Sequence, residues 1–433
     1  MAFEAVFLPF KPSAWKNDDT GCENIMIGSH ILFANIFESF TSEAVVRSLK
    51  AMGYRVEEKD YYTPKDPYND DRLYEMVKKT ILTGRFDVVF TVNIWPIVAR
   101  VCHDCDIIYI AWSYDSPQNL PSNRDLNYET NFLFLFDRAE VEIYRREGID
   151  RVYHLPLAAD VKRWDAVRKR LNDPRSRSSY KYEVSLLGSL YESTLPALLA
   201  GMGEYNQGYI KAVIEAQKRI YGYFLIDDIL TDELMASINE DFAKTRVSLS
   251  TGRDDSDENC VTIRQLAYSM SSYITYIERL SLLRLLGSRC DMHLFSSGIK
   301  EETKPLLKNI TIHSWVSYEE GMPAVFMQSK VNLNPSLKII RSGISLRCMD
   351  IMGCGGFLLS SYQPELAEFF VPDEELVLYE SMEDAVEKAL FYIKNDTVRE
   401  RIAQKGYEKT KALFSYERQL GRLFETVRGS GLQ

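Results

Sequence analysis

The period of the apolar positions changes along the chain and lays out its elements. Residues 30–35 carry the short continuous run Ile31-Leu32-Phe33-Ala34, which predicts a buried strand. A polar loop follows at 37–41, then a helix over 42–52 closed by Gly53. A strand opens at Arg55-Val56. Helices are expected at 72–82 and 95–103, and strands at 86–91, 106–112, 131–136 and 152–157. Strands alternating with helices predict a parallel sheet covered on both faces. The turn-rich stretch LNDPRSRSSY (171–180) breaks the pattern, and a new strand starts at 182–188. The pattern between 192 and 288 is helical, interrupted by the acidic run 254–258, which reads as a solvated loop. Strands return at 292–295, 310–316, 331–334, 357–359 and 375–379. Helices are expected at 318–328, 365–370, 382–394, 397–413 and 416–427, and a further strand within the lead-in at 3–8. The expected organisation is two α/β domains, 1–175 and 176–412, the second with a helical insertion at about 192–288, followed by a terminal segment, 413–433.

One unit stands out, KVNLNPSLKIIRSGISLRCMDIMGCGGFLLSSY at 330–362. It reads as strand, polar loop, helix and strand, with Ser342 or Ser345 as N-cap and Gly353, Gly355 and Gly356 ending the helix. Helix N-termini attract phosphate, because their unpaired N–H groups and the helix dipole face the ligand. Arg347 and Asp350, three apart, share one face. They suit the diphosphate and ribose diol of a nucleotide sugar, or form a plain surface ion pair. Ligands of parallel sheets bind beyond the carboxyl ends of the strands. Those ends are polar here: Asn35 to Glu38, Asn93, Tyr114-Asp115-Ser116-Pro117, Asp137-Arg138 and His154 to Asp160. Asp137 reads as a helix N-cap. Asp115 is either a turn cap or the best-placed carboxylate for chemistry. Gly188-Ser189 is either a close approach to phosphate or an ordinary turn.

Composition narrows the class. With 433 residues, 45% hydrophobic and 26% charged, the chain can build large cores without a metal or disulfide staple. A net charge of −10 argues against a nucleic-acid-binding surface. The 26 Tyr and 21 Phe suit either a stacking cleft or packed cores. No basic-plus-apolar leader and no run of 18 apolar residues is seen, so neither a signal peptide nor a transmembrane helix is expected, and the cytoplasm is the expected location. The seven cysteines read as free thiols, and Cys102-x-x-Cys105 lacks a second ligand pair, so no metal is expected.

The order NLNPS…R-x-M-D-I-M-G-C-G-G-F-L-L, the terminal ERIAQKGYEKTKALFSYERQL, and TVNIWPIV, YIAWSYDSPQNL, FLFDRAEV and VYHLPLAAD resemble the CgeB-type (spore-maturation-protein-like) glycosyltransferases, over roughly 28–428. The resemblance implies the GT-B fold: two Rossmann-like domains across a cleft, the first holding the acceptor, the second the nucleotide sugar, with the final helix crossing back. It implies a metal-independent, hexosyltransferase-class enzyme without a cofactor. A sugar would pass from a nucleoside diphosphate, UDP by default, to a hydroxyl on a protein (flagellin or spore-coat type) or an envelope glycan. In many retaining relatives two glutamates lie in this unit. The second corresponds to Asp350, expected on the ribose, and the first to Ser342, which has no carboxylate. The Arg and Lys that relatives carry after Gly188 are absent. Phosphate charge would then fall to Arg347, Arg341 or Lys338, with N–H groups around Ser342, Gly343 and Ile344 and at Gly188-Ser189. Asn334 and Ser336 would line the sugar pocket, and Trp315 and Val316 would meet the base unless Trp315 is core. For an inverting reaction Asp115 or Glu38 is the expected base, with His154 a weaker candidate. Two other classes stand beside this reading. One is a non-catalytic nucleotide- or sugar-binding scaffold. The other is a nicotinamide-dependent oxidoreductase, disfavoured because no G-x-G-x-x-G follows the first strand.

Overall fold

The structure, a computed structural model, describes residues 29–37, 39–118, 120–171, 180–245 and 260–430. Twelve strands form two six-stranded sheets. The first holds β1 (His30–Asn35), β2 (Arg55–Asp60), β3 (Val88–Val92), β4 (Ile108–Trp112), β5 (Asn131–Leu135) and β6 (Val152–His154), in the order β2-β1-β3-β4-β5-β6. The second holds β7 (Tyr182–Leu187), β8 (Met292–Phe295), β9 (Thr311–His313), β10 (Ser329–Asn334), β11 (Leu358–Ser361) and β12 (Val377–Tyr379), in the order β12-β11-β10-β7-β8-β9. Every strand pairing in both sheets is parallel. Helices cover both faces, so the inner strands are buried throughout and read as near-continuous apolar runs. β2 is different. It is an edge strand carrying Glu57, Glu58 and Lys59, and charge of this kind keeps an edge from pairing with another chain. Strand order reverses between β1 and β3 in the first sheet and between β7 and β10 in the second, and such switch points open a crevice at the carboxyl ends of the strands.

The first lobe takes α1 (Ser42–Ala51), α2 (Asp71–Gly84), α3 (Pro96–Asp104) and α4 (Arg138–Arg146), followed by α5 (Val161–Arg170). The second takes α6 (Leu195–Gly201), α7 (Glu204–Gln217), α8 (Ile226–Ile229), α9 (Asp232–Thr245), α10 (Ile263–Gly287), α11 (Gly321–Gln328), α12 (Leu346–Gly353), α13 (Pro364–Phe369), α14 (Met382–Lys394) and α15 (Asp396–Leu413), before α16 (Tyr416–Gly429) closes the chain. The expected insertion is α6 to α10, and α6 to α9 share a core with the first half of α10, including Leu195, Ile210, Phe242, Leu266 and Ile274. α10 starts at a capping box between Thr262 and Gln265 and runs on out of that core. Its second half, with Leu282, Leu283 and Leu286, packs with Val184 of β7 and Leu294 of β8. One helix thus serves both the insertion and the sheet, and its middle lies near the strand ends.

The two lobes exchange helices. Tyr416, Leu420, Leu423, Phe424 and Val427 of α16 are buried with Ile31, Phe33, Val45 and Phe90 of the first lobe. α5 goes the other way. Trp164 is buried among Phe326, Met349, Met352 and Tyr407 of the second lobe, and a Cβ on Gly353 would stand 2.6 Å from its ring. The two crossings touch where the Ala159 N–H donates to the Phe414 carbonyl at 2.8 Å. The expected return of the final helix is thus present, and α5, placed in the first domain by chain order, packs on the second. Several strands are shorter than their apolar runs: β6 stops at His154 and β9 at His313. α11 starts at Gly321 rather than 318, where the Ser317 side chain accepts the Gly321 N–H. The strand expected at 3–8, the domain boundary at 175, the acidic run 254–258 and Glu38 all lie outside the described residues. No described helix is long and apolar enough to cross a membrane.

Candidate active site

The carboxyl ends of both sheets carry the polar groups. In the first lobe Asn93 follows β3 with a left-handed backbone (φ +62°). Its side-chain oxygen accepts from Ser113 Oγ (3.1 Å) and the Tyr114 N–H (2.9 Å), and its Nδ2 donates to Asp115 Oδ2 at 2.7 Å. Asn93 therefore fixes the Asp115 carboxylate to the end of β4. Asp115 is open to solvent along one side and walled in elsewhere, and this desolvation raises its carboxyl pKa against the pull of the Asn93 amide. Tyr268 of α10, in the other lobe, is half-exposed and close enough to Asp115 and Tyr191 for both to raise its hydroxyl pKa, after burial as the main cause. Asp115 thus lies near the insertion helix of the other lobe.

In the second lobe β7 leads into Gly188 (φ +148°), Ser189 and Tyr191 (φ +59°). Ser189 is exposed, and its Oγ accepts the Tyr191 N–H at 3.0 Å. β10 leads into Asn334-Pro335-Ser336. Asn334 Nδ2 donates to Ser336 Oγ (3.3 Å) and Ser360 Oγ (3.2 Å), and the Ser336 N–H donates to Ser361 Oγ (3.0 Å). Both residues are buried, so their polar atoms hold the loop together and do not line open space. Trp315, beyond β9, is 69% exposed, which removes the core reading, and the half-buried Val316 sits against Gly321.

α12 begins after Ser345, whose side chain makes no capping bond. Arg347 and Asp350 lie on one face as expected and pair at 3.3 Å. The Arg347 side chain keeps 29% exposure and also contacts Met322 Sδ (2.8 Å) and the Phe326 ring. Asp350 is sealed. Its Oδ1 accepts from the Tyr318 hydroxyl at 3.0 Å and its Oδ2 faces Arg347. A ribose hydroxyl would reach it only by displacing one of them. Burial pushes this carboxyl up to about 7, opposed by Arg347 and Tyr318. It lies at the seam between the lobes, where Asp350 and Asp160 both raise the titration of Tyr114 and Tyr416, whose hydroxyls are 3.3 Å apart. The Phe40 ring of the first lobe packs at a tilt against Tyr318, 4.4 Å between centroids, across the same seam.

The raised pKa has a stability consequence. The folded protein holds the Asp350 proton more tightly than the unfolded chain, whose carboxyl titrates near 3.8. That contribution is fully present below the unfolded value and is lost as pH rises through about 7. Asp350→Asn is therefore expected to flatten the fall in melting temperature between about pH 5 and about pH 8. Parallel curves for variant and wild type would refute the assignment.

Arg341, Ser342 and Gly343 do something else. Asp137, fully buried, caps α4 through the Ala139 N–H (3.2 Å), as expected. It also accepts the Arg341 N–H (2.8 Å), the Ser342 N–H (3.1 Å), Ser342 Oγ (2.8 Å) and Ser116 Oγ (3.1 Å). Buried Glu365 of α13 accepts from the Arg138 N–H (2.9 Å) and lies 2.8 Å from Ser342 Oγ, whose single proton it shares with Asp137, and its other oxygen pairs with His154 at 2.7 Å. A Cβ on Gly343 would stand 2.8 Å from Asp137 Cα. The Arg341 guanidinium is bound by Asp227 of α8. These three residues thus join the lobes, and His154 is part of the junction. Lys338 is spent on buried Glu278 at 3.2 Å.

The structure places Asp115 at the end of β4 near Tyr268 of α10, Gly188 and Ser189 at the end of β7, and Arg347 paired with Asp350 on α12. It sets Asn334 and Ser336 inside the lobe and Arg341, Ser342 and Gly343 at the junction. Sequence reasoning missed Asn93 as the clamp of Asp115, although its place at a strand end was visible. It missed Glu365 and the junction role of Asp137 entirely, since partners about 200 residues apart leave no local signal. Among the described residues no group of His, Cys, Asp or Glu is arranged to hold a metal.

Residues 277–425 match a family profile described as glycosyl transferase-like. A search of curated proteins found no match. Among solved structures, the chain is similar to a glycosyltransferase from Rickettsia africae (10% identity, 92% of this chain and 98% of that one, TM-score 0.52). It is also similar to sucrose-phosphate synthase from Thermosynechococcus elongatus (11%, 93% and 100%, TM-score 0.50) and to HepE from Anabaena, solved in complex with UDP and glucose (10%, 93% and 99%, TM-score 0.50). At these identities the likeness establishes the fold, the two-lobed GT-B architecture.

Proposed function

We propose that this chain is a glycosyltransferase that moves a sugar from a nucleoside diphosphate, UDP by preference, to an acceptor hydroxyl in the cleft between the lobes. The observation that carries the reading is the Asp115 carboxylate, clamped by Asn93 at a strand end near Tyr268 of a second α/β lobe that has its own switch point. The glycosyl transferase-like match over 277–425 and the UDP-bound structure with the same fold support it. Asp115 takes the proton of the acceptor hydroxyl as its oxygen bonds to the anomeric carbon. The bond from that carbon to the phosphate oxygen breaks, and the diphosphate leaves with its electron pair. Negative charge grows on the leaving group, so cations and N–H donors are worth most there. Arg347, backed by Asp350 and Tyr318, is the partly exposed cation of α12. Tyr268 offers a ring beside Asp115 for the acceptor. We place the chain nearest the CgeB-type enzymes, working without a metal in the cytoplasm on a protein or envelope-glycan acceptor.

A thermal-shift screen of nucleotide sugars against NAD and NADP tests this first. Stabilisation by UDP or a UDP-sugar, and donor hydrolysis that survives EDTA, are the expected results. Stabilisation by NAD or NADP alone would overturn the reading. Tight UDP binding without hydrolysis or transfer would identify a non-catalytic scaffold instead.

A further inference from the structure

The carboxyl ends of β7 and β10, the two strands flanking the switch point of the second sheet, are bridged by one side chain that neither strand supplies. Arg279 comes from the middle of α10, where the helix passes from the insertion to the sheet. It is 6% exposed. Its Nε and Nη2 donate to the Pro335 carbonyl at 3.1 and 2.5 Å, and its Nη1 donates to the Ser189 carbonyl. The ring of Tyr191 packs 4.8 Å from the guanidinium carbon. Its partners are therefore carbonyl oxygens and a ring face. Among the described residues no carboxylate stands within ion-pair reach of it, because neighbouring Glu278 is engaged by Lys338, Tyr221 and Tyr379.

This is an unusual way to bury a charge. Carbonyl dipoles offset part of the lost hydration, and the neighbouring Glu278 carboxylate acts on the charge without forming an ion pair with it. Burial is the main cause that lowers the pKa of Arg279, opposed by Tyr191, Tyr379 and Glu278, with Arg347 adding a smaller push in the same direction as burial. A Cβ at Gly188 would stand 3.4 Å from Nη1, so the guanidinium borders the turn that follows β7. The guanidinium has five N–H donors and three hydrogen bonds account for three, leaving two.

We propose that Arg279 is the cation that binds the diphosphate of the donor, supplied by the insertion helix in place of the basic residues missing after Gly188. The proposal rests on the reading of the cleft as a nucleotide-sugar site. It makes the insertion part of the donor site, with α10 delivering Arg279 to the phosphates and Tyr268 to the acceptor side.

The test compares wild type, Arg279→Gln and Arg279→Lys for binding of UDP, uridine and inorganic pyrophosphate by calorimetry, with melting temperatures in parallel. The expected result in Arg279→Gln is a loss of more than tenfold in UDP and pyrophosphate affinity with uridine affinity unchanged, and partial recovery in Arg279→Lys. An equal loss for UDP and uridine would reduce Arg279 to a strand-end tie and overturn the proposal, as would unchanged UDP affinity. If Arg279→Gln fails to fold, Arg279→Lys decides. Lys keeps the charge but not the two-pronged donor set, so a UDP loss exceeding the uridine loss supports the proposal and parallel losses refute it. Wild type that binds neither UDP nor pyrophosphate ends both readings. Arg279-dependent pyrophosphate binding without UDP binding ends the nucleotide reading alone.

Discussion

Asp115→Asn is expected to cut glycosyl transfer by about 10²- to 10⁴-fold, the usual worth of a positioned general base, while UDP affinity stays unchanged. Asn keeps the shape and can still bond Asn93 after an amide flip, so the strand end should hold. What disappears is the capacity to take a proton. The pH profile gives a second readout. A base must be ionised to act, and desolvation makes the Asp115 carboxylate harder to form, so the acid limb of activity should lie above the ordinary 3.8 of an aspartate. Asn93→Ala removes the N–H donor that favours the ionised form and should push that limb further up. Wild-type turnover in Asp115→Asn, measured with saturating donor, would remove Asp115 from the chemistry.

Asp137→Ala is expected to cost roughly 3 kcal/mol or more of stability, since buried hydrogen bonds to a charged acceptor each contribute about 1.5–3 kcal/mol and their orphaned donors add to the loss. One carboxylate receives the Arg341 and Ser342 N–H groups and the Ser342 hydroxyl from the second lobe, besides two donors from its own. Removing it strips the loop before α12 of its anchor, so the variant should also lose donor affinity. Urea unfolding measures the first effect and UDP titration the second. A loss below about 1 kcal/mol, the size of a single ordinary hydrogen bond, would show that Glu365 and the packing hold the junction alone.

The fold was legible because parallel strands buried on both faces leave runs that survive single-sequence reading. His30–Asn35, Met292–Phe295 and Met382–Lys394 fall where the apolar pattern puts them. The site was legible only in part. Asp115 could be singled out because an apolar strand ends beside it, and Arg347 and Asp350 because three-residue spacing puts them on one helix face. Nothing in that spacing says which way the face turns, and Asp350 turns inward onto Tyr318. Ser342 looked like a helix cap or ligand contact from its neighbours in sequence, yet its hydroxyl is used by carboxylates from Asp137 and Glu365. Arg279 carried no signal, being one of four charged residues in a mostly apolar 25-residue helix. Its meaning comes only from Pro335 and Ser189, which sit in other elements.

The exchange of α5 and α16 bears on how this protein can be divided. Expressing it as halves, cut after Leu171, would leave the amino-terminal fragment without Leu420, Leu423 and Phe424, a bare apolar furrow over Phe33 and Phe90. The same fragment would carry Trp164 as a loose hydrophobic peg with no socket. Both halves would be sticky and poorly soluble alone. Mixed together they should find each other, and co-expression of the split chain would reconstitute what neither piece can hold on its own.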